Sequence, residues 1–242
     1  MTNNQKEFID TIGNLARYNY LKLNKKGILP SVCIAQAILE SGWNLNAKTL
    51  FGIKGSGINL PTIEYVNGVK VNVIDSFKSY PNIASSVEGY YNFLNSTPRY
   101  SKAVAAANYI DAVDGLINTT DGKSYATDPC YKDKLITLIR QYSLFNYDSF
   151  EVKNNNEEKI NNDIILSIFN GDFGNGQERI YNLSKVVKNP ALYQQKVNEI
   201  YKIATDVING KYGNGNERKE KLLKNGYDYN LIQKIVNILL LN

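Results

Sequence analysis

From Pro30 to Trp43 the chain reads Pro-Ser-Val-Cys-Ile-Ala-Gln-Ala-Ile-Leu-Glu-Ser-Gly-Trp, and Glu40 is its one charged residue. The stretch opens on a proline, whose missing N–H is no loss in a first helical turn. It ends at a glycine suited to the left-handed position past a helix end. Apolar residues fall on every side of the helix it predicts, so a larger body has to enclose it. Glu40 then sits at the C-terminal edge of that apolar body. Partial desolvation and the negative end of the helix dipole both disfavour its charged form. A carboxyl kept partly protonated near neutral pH is what a general acid requires. The plainer reading is a carboxylate that solvates a helix end.

The missing residue types narrow the chemistry. There is no histidine among the 242 residues, which removes Ser-His-Asp and Cys-His catalysis and most zinc hydrolase sites. Two cysteines, Cys33 and Cys130, are too few for a four-sulfur metal site, and Cys33 inside the apolar helix reads as a small hydrophobe. No metal and no cofactor is expected. Carboxylates assisted by tyrosine and amides remain, which is the equipment of a glycosidase. The net charge of +5 is spread thinly, with fifteen basic and twelve acidic side chains in residues 1–149 and thirteen and eleven beyond. That argues against a nucleic-acid surface and suits an anionic polymer such as a cell wall.

Along the chain, residues 6–23 predict an amphipathic helix, and residues 83–95, 99–118 and 131–143 predict three more. Thr49–Gly57 reads as a glycine-punctuated loop without phosphate-loop spacing. Thr62–Val66 and Val69–Ile74 flank Asn67-Gly68, a hairpin with a two-residue turn; Thr62, Glu64 and Val66 share one strand face, Ile63 and Tyr65 the other. A polar run, Lys153–Glu158, reads as a linker. Beyond it Asn-Gly-Asp-Phe-Gly-Asn-Gly-Gln-Glu-Arg (170–179) returns 39 residues later as Asn-Gly-Lys-Tyr-Gly-Asn-Gly-Asn-Glu-Arg (209–218). Each copy reads as helix, glycine loop, helix, turn, helix. Two copies are too few for a solenoid, so a duplicated binding module is the better reading.

Residues 5–146 resemble the N-acetylglucosaminidase domain of glycoside hydrolase family 73, the bacterial autolysin and phage-lysin type. The matching stretches are Ile28–Ser31, Ala35–Trp43, Leu50–Gly55, Thr62–Tyr65, Phe77–Tyr80, Ser86–Glu88 and Tyr125–Tyr131. The sequence departs from the family pattern at Asn44 and Thr49. The resemblance implies a mainly α, lysozyme-like α+β catalytic domain with a small β-hairpin lobe and a sugar groove between. It implies cleavage of the β-1,4 bond after N-acetylglucosamine in peptidoglycan. It places Glu40 on the catalytic acid, Glu64 on a β-lobe second carboxylate and Tyr125 on a groove tyrosine. The two copies resemble the CW-seven cell-wall-binding repeat, which implies muropeptide binding.

The expected organisation is a catalytic domain (1–148), a linker (149–158) and two three-helix repeats (159–200 and 201–242). Glu64 either acts across the groove on water or as nucleophile, or orients the substrate's own N-acetyl group. Trp43, Phe51 and Tyr65 are expected to shape the groove. Gly174, Asn175 and Arg179, with Gly213, Asn214 and Arg218, are expected to hold the wall, since an arginine is unfavourable at a helix start unless it meets a ligand. A muramidase or lytic transglycosylase on the same fold, or a non-catalytic wall binder, is the alternative. The N-terminus lacks an apolar signal region and no run approaches the roughly 18 apolar residues of a membrane span. The expectation is therefore a monomer made in a host cytoplasm, acting on the wall after release, with no nucleic-acid partner and no membrane insertion.

Overall fold

The structure, a computed structural model, describes residues 1–47, 49–66, 69–149 and 160–241. The chain divides into two units, Met1–Val152 and Lys153–Asn242. The expected Asn67-Gly68 turn and residues 150–158 of the expected linker lie outside the described residues.

In the first unit, helix α2 (Pro30–Ser41) is buried from Pro30 through Ile38. It is enclosed by α1 (Asn3–Lys22), α5 (Tyr109–Ile117), α6 (Tyr131–Gln141) and a 3-10 segment, Leu144–Asp148. Helix α1 begins three residues earlier than its apolar pattern, because Thr2 and Gln5 cap each other reciprocally. Helix α2 ends as expected on Gly42 at φ +60°, and Trp43 follows at φ +68°. That conformation is costly for a large side chain. The ring is held there edge-on against Phe8 and Tyr142.

The other helices are α3 (Ile83–Ser96) and α4 (Ser101–Val104). The single helix expected over 99–118 is broken: a 3-10 turn at Pro98–Tyr100 leads into α4, and α5 restarts at Asn108, whose side chain caps Asp111 N–H. Gly115 explains the fold-back, because any Cβ there would overlap the Ala103 backbone.

Strands β1 (Lys54–Val66) and β2 (Val69–Phe77) form a two-stranded antiparallel sheet, with Thr62 opposite Val73 and Glu64 opposite Val71. It is longer than its alternating pattern suggests. Lys54 and Ile58 both align with Phe77 across a bulge, so part of the expected glycine loop is strand. Gly57 makes the bulge possible, lying so close to the backbone of Phe77 and Ser79 that no side chain fits.

The second unit holds α7 (Asn162–Phe169), α8 (Gly176–Ser184), α9 (Pro190–Ile208), α10 (Gly215–Lys224) and α11 (Tyr229–Leu241). The expected boundary at residues 200/201 falls inside α9, which closes the first three-helix set and opens the second. Both share one core, in which Ile165, Leu183 and Tyr193 meet Ile200, Leu222 and Ile235. Asn189 caps α9 and Asp228 caps α11, at equivalent positions of the two copies. No helix among the described residues is long and apolar enough to cross a membrane.

Candidate active site and repeat loops

A groove of about 600 Å³ opens in the first unit, with Glu40 and Glu64 both in its lining. Helix α2 brings Glu40 to its floor, since the glycine stop leaves the acid one residue from the helix end. The carboxyl is accessible from the groove, while protein encloses its other sides. This desolvation pushes it above the usual carboxylate range, and a hydrogen bond from Tyr131 opposes the shift. The Tyr131 hydroxyl donates to Glu40 Oε1 at 2.7 Å. Glu40 Oε2 lies beside Gly52, where a Cβ would stand 3.1 Å from it.

Glu64 is set oppositely. Lys54 Nζ donates to its Oε1 at 2.7 Å and also binds Asp75 Oδ2 at 2.7 Å, while Thr127 donates to its Oε2 at 2.7 Å. The Lys54 bond, more than anything else, holds Glu64 below the usual range, against some desolvation and with help from Thr127. The bulge after Lys54 permits this contact by letting the first residue of β1 meet a carboxylate ten residues on. One carboxyl is therefore pushed toward its protonated form and the other is held as an anion. Such a split assigns acid and counter-charge in glycosidases.

Other expected site residues are redistributed. Tyr125 lines the groove, but its hydroxyl donates to the Phe51 carbonyl at 2.7 Å and its ring stacks on Tyr131. It braces the wall; the tyrosine bonded to the acid is Tyr131. Phe51 does not shape the groove surface, being 2% exposed and stacked on Tyr90. Trp43 packs against Phe8 and Tyr142 and is not part of the groove lining. The Tyr65 side chain lies outside the described residues. Sequence reasoning missed Lys54, Tyr131 and Gln36. The last is a fully buried amide one helical turn before Glu40, and a lone amide on an otherwise apolar helix was the available signal.

In the second unit the arginines turn inward. Arg179 donates through Nε to the Gly174 carbonyl (3.0 Å), through NH2 to Asn175 Oδ1 (2.9 Å) and through NH1 to Gln194 Oε1 (3.4 Å). Arg218 does the same with Gly213 (3.2 Å), Asn214 (3.1 Å) and Gln233 (3.2 Å). Loop oxygens together with a glutamine of the following helix surround each guanidinium and offset the unfavourable placement of a cation near a helix start. Gly174 and Gly213, both at φ +72°, give the carbonyls that the guanidinium reaches.

Comparison with known proteins finds matches in both units. Residues 202–240 match the CW_7 repeat. The exo-glucosaminidase LytG of Bacillus subtilis (strain 168) is 34% identical over 158 residues, 60% of this chain and 54% of the relative. A probable N-acetylmuramidase of Lactococcus lactis subsp. cremoris is 37% identical over 164 residues, covering 61% and 36%. The chain spans about half the length of the first relative and about a third of the second. Among solved structures, an N-acetylmuramoyl-L-alanine amidase from Staphylococcus aureus overlaps 64% of this chain and 46% of its own, with 27% identity and a TM-score of 0.54. Residues 18–144, more than half of the chain, match the glucosaminidase family described as mannosyl-glycoprotein endo-beta-N-acetylglucosaminidase, and the chain belongs to that family.

Proposed function

We propose that the first unit hydrolyses the β-1,4 bond between N-acetylglucosamine and N-acetylmuramic acid in bacterial peptidoglycan, and that the repeats hold the chain on the wall. The observation that carries this reading is the opposed setting of Glu40 and Glu64 in one groove. Glu40 gives its proton to the glycosidic oxygen as the bond from the anomeric carbon breaks, and the electron pair leaves on that oxygen. Positive charge then develops on the sugar ring, and the Glu64 anion lies across the groove to offset it. Both Glu64 oxygens already accept hydrogen bonds, which makes it a poor nucleophile. Orienting water or the substrate's N-acetyl group suits it better. Lys70 and Arg99 line the same groove and match the carboxylates of the peptide that muramic acid carries. Each site is complete within one chain, which fits a monomer.

Glu40→Gln is expected to lower wall hydrolysis at least ~10³-fold with an unchanged circular dichroism spectrum, while Glu64→Gln costs about one order of magnitude less. Retention of more than a few per cent of activity by Glu40→Gln overturns the assignment. The name of the lactococcal relative supports a muramidase as the second reading. Reducing-end analysis of digested wall separates the two: new N-acetylglucosamine ends support the proposal, and new N-acetylmuramic acid ends support the muramidase.

A further inference from the structure

Behind Glu40 runs a hydrogen-bond chain that the reaction as described does not use. The Tyr90 hydroxyl donates to Gln36 Oε1, Gln36 Nε2 donates to the Tyr131 oxygen at 2.9 Å, and Tyr131 donates to Glu40 Oε1 at 2.7 Å. Gln36 and Tyr90 are fully buried and Tyr131 is 3% exposed, so water does not compete for these bonds. We infer that this chain is a positioning device that chooses which oxygen of Glu40 carries the transferable proton, holding Oε1 as an acceptor and leaving the proton to Oε2, beside Gly52 in the groove.

The argument is one of donor sense. A hydroxyl has one proton, so Tyr131 can donate to Glu40 only if its remaining partner donates to it. The amide of Gln36 supplies that donor when its nitrogen faces Tyr131, and its oxygen must then face Tyr90, whose hydroxyl provides the matching proton. Turned over, the amide would draw the Tyr131 proton to itself and set lone pair against lone pair at ionised Glu40. Burial makes either mismatch costly. With Oε1 occupied, the acid proton sits on Oε2, and a Cβ added at Gly52, a residue of the groove lining, would meet that oxygen. Gln36 therefore acts one helical turn behind the acid, through Tyr131, and Tyr90 fixes the sense of Gln36.

The inference rests on Glu40 being the acid, and the test separates the two. Full-length chain is assayed on purified peptidoglycan, with kcat measured against pH. Other groups facing Glu40 are Tyr125, from the segment before α6, and Glu64 across the groove with Lys54 on it; none is altered in the variants. Tyr131→Phe removes a bond that favours the ionised acid. It is expected to move the basic limb of kcat upward by about half to one pH unit and to lower kcat about tenfold. Gln36→Met, close in volume, is expected to do the same in smaller measure, and the double variant to be no worse than Tyr131→Phe alone. A wild-type pH profile for folded Gln36→Met overturns the inference, and so do effects that multiply in the double variant. If Gln36→Met does not fold, Tyr90→Phe paired with Tyr131→Phe is judged by the same criteria. Activity surviving in Glu40→Gln condemns the acid assignment itself. An inactive Glu40→Gln beside a silent Gln36→Met condemns only the chain.

Discussion

At the residue scale, Gly52 shows how little room the site leaves. Its φ of +60° lies in the region where a side chain costs roughly 1–2 kcal/mol. A methyl group there would stand 3.1 Å from Glu40 Oε2. Gly52→Ala is expected to lower kcat by about tenfold or more, a loss of about 1.4 kcal/mol at the transition state, while the folded spectrum stays close to wild type. Wild-type kcat would show that Oε2 has space to spare. Much of this site was legible in the sequence. A single acid ending an apolar helix needs only periodicity and a glycine stop to be found, whereas strand alternation gave Glu64 no more than a face and the family resemblance alone singled it out. Lys54 was not legible, because its contact depends on a bulge that no alternation pattern announces. Phe51 and Trp43 were misplaced for a related reason: aromatic side chains beside a catalytic motif serve core and groove equally well, and only packing partners separate the two.

At the element scale, helix α2 receives its N-terminal cap from far along the chain. Leu29 offers no side-chain cap, and Asp148 accepts from Ser31 N–H at 2.8 Å and Ser31 Oγ at 2.6 Å. Arg17 fastens the same segment by donating to the carbonyls of Tyr147 (3.2 Å) and Ser149 (2.9 Å). Burial pushes the Asp148 carboxyl up to about 6, despite the Ser31 bonds and Arg17. An acid whose folded value is raised favours folding in its neutral form. Its contribution is therefore full below about pH 4, falls between about 4 and 6, and is flat above. Asp148→Asn removes that slope. The stability of this variant relative to wild type, by urea unfolding, should rise by up to ~3 kcal/mol between pH 4 and 7. A difference that does not change with pH would show that Asp148 has an ordinary carboxyl. Long-range capping explains why the sequence located α2 correctly yet assigned Asp148 no task. Nothing local ties residue 148 to residue 31. The break between α4 and α5 was also hidden, since Asn108 is an ordinary polar residue until its side chain is seen capping a helix.

At the scale of the whole molecule, the two units have separate interiors, so each is expected to melt as its own transition in calorimetry. A fragment of residues 1–152, which retains the Ser149 carbonyl used by Arg17, should cleave soluble muropeptides within a few-fold of the full chain. It should clear intact walls at least ~10-fold more slowly at low enzyme concentration, because the duplicated unit raises the local concentration of the groove. Equal clearing would remove the wall-holding role from the repeats. The duplication itself was plain in the sequence from the 39-residue register. The sharing of α9 was not, because a repeat boundary set by similarity marks where the pattern restarts and not where a helix ends.

That shared helix behaves as a ruler. Arg179 ties the first loop to α9 at Gln194, near one end, and the second loop begins at Asn209, just past the other. Fifteen residues at 1.5 Å each put about 22 Å of stiff rod between those attachments. The spacing and phase of the two loops are thus written in the length of one helix. A single residue inserted into α9 would turn one loop by about 100° against the other, so any ligand that engaged both loops would have to match a spacing and a phase that one helix fixes.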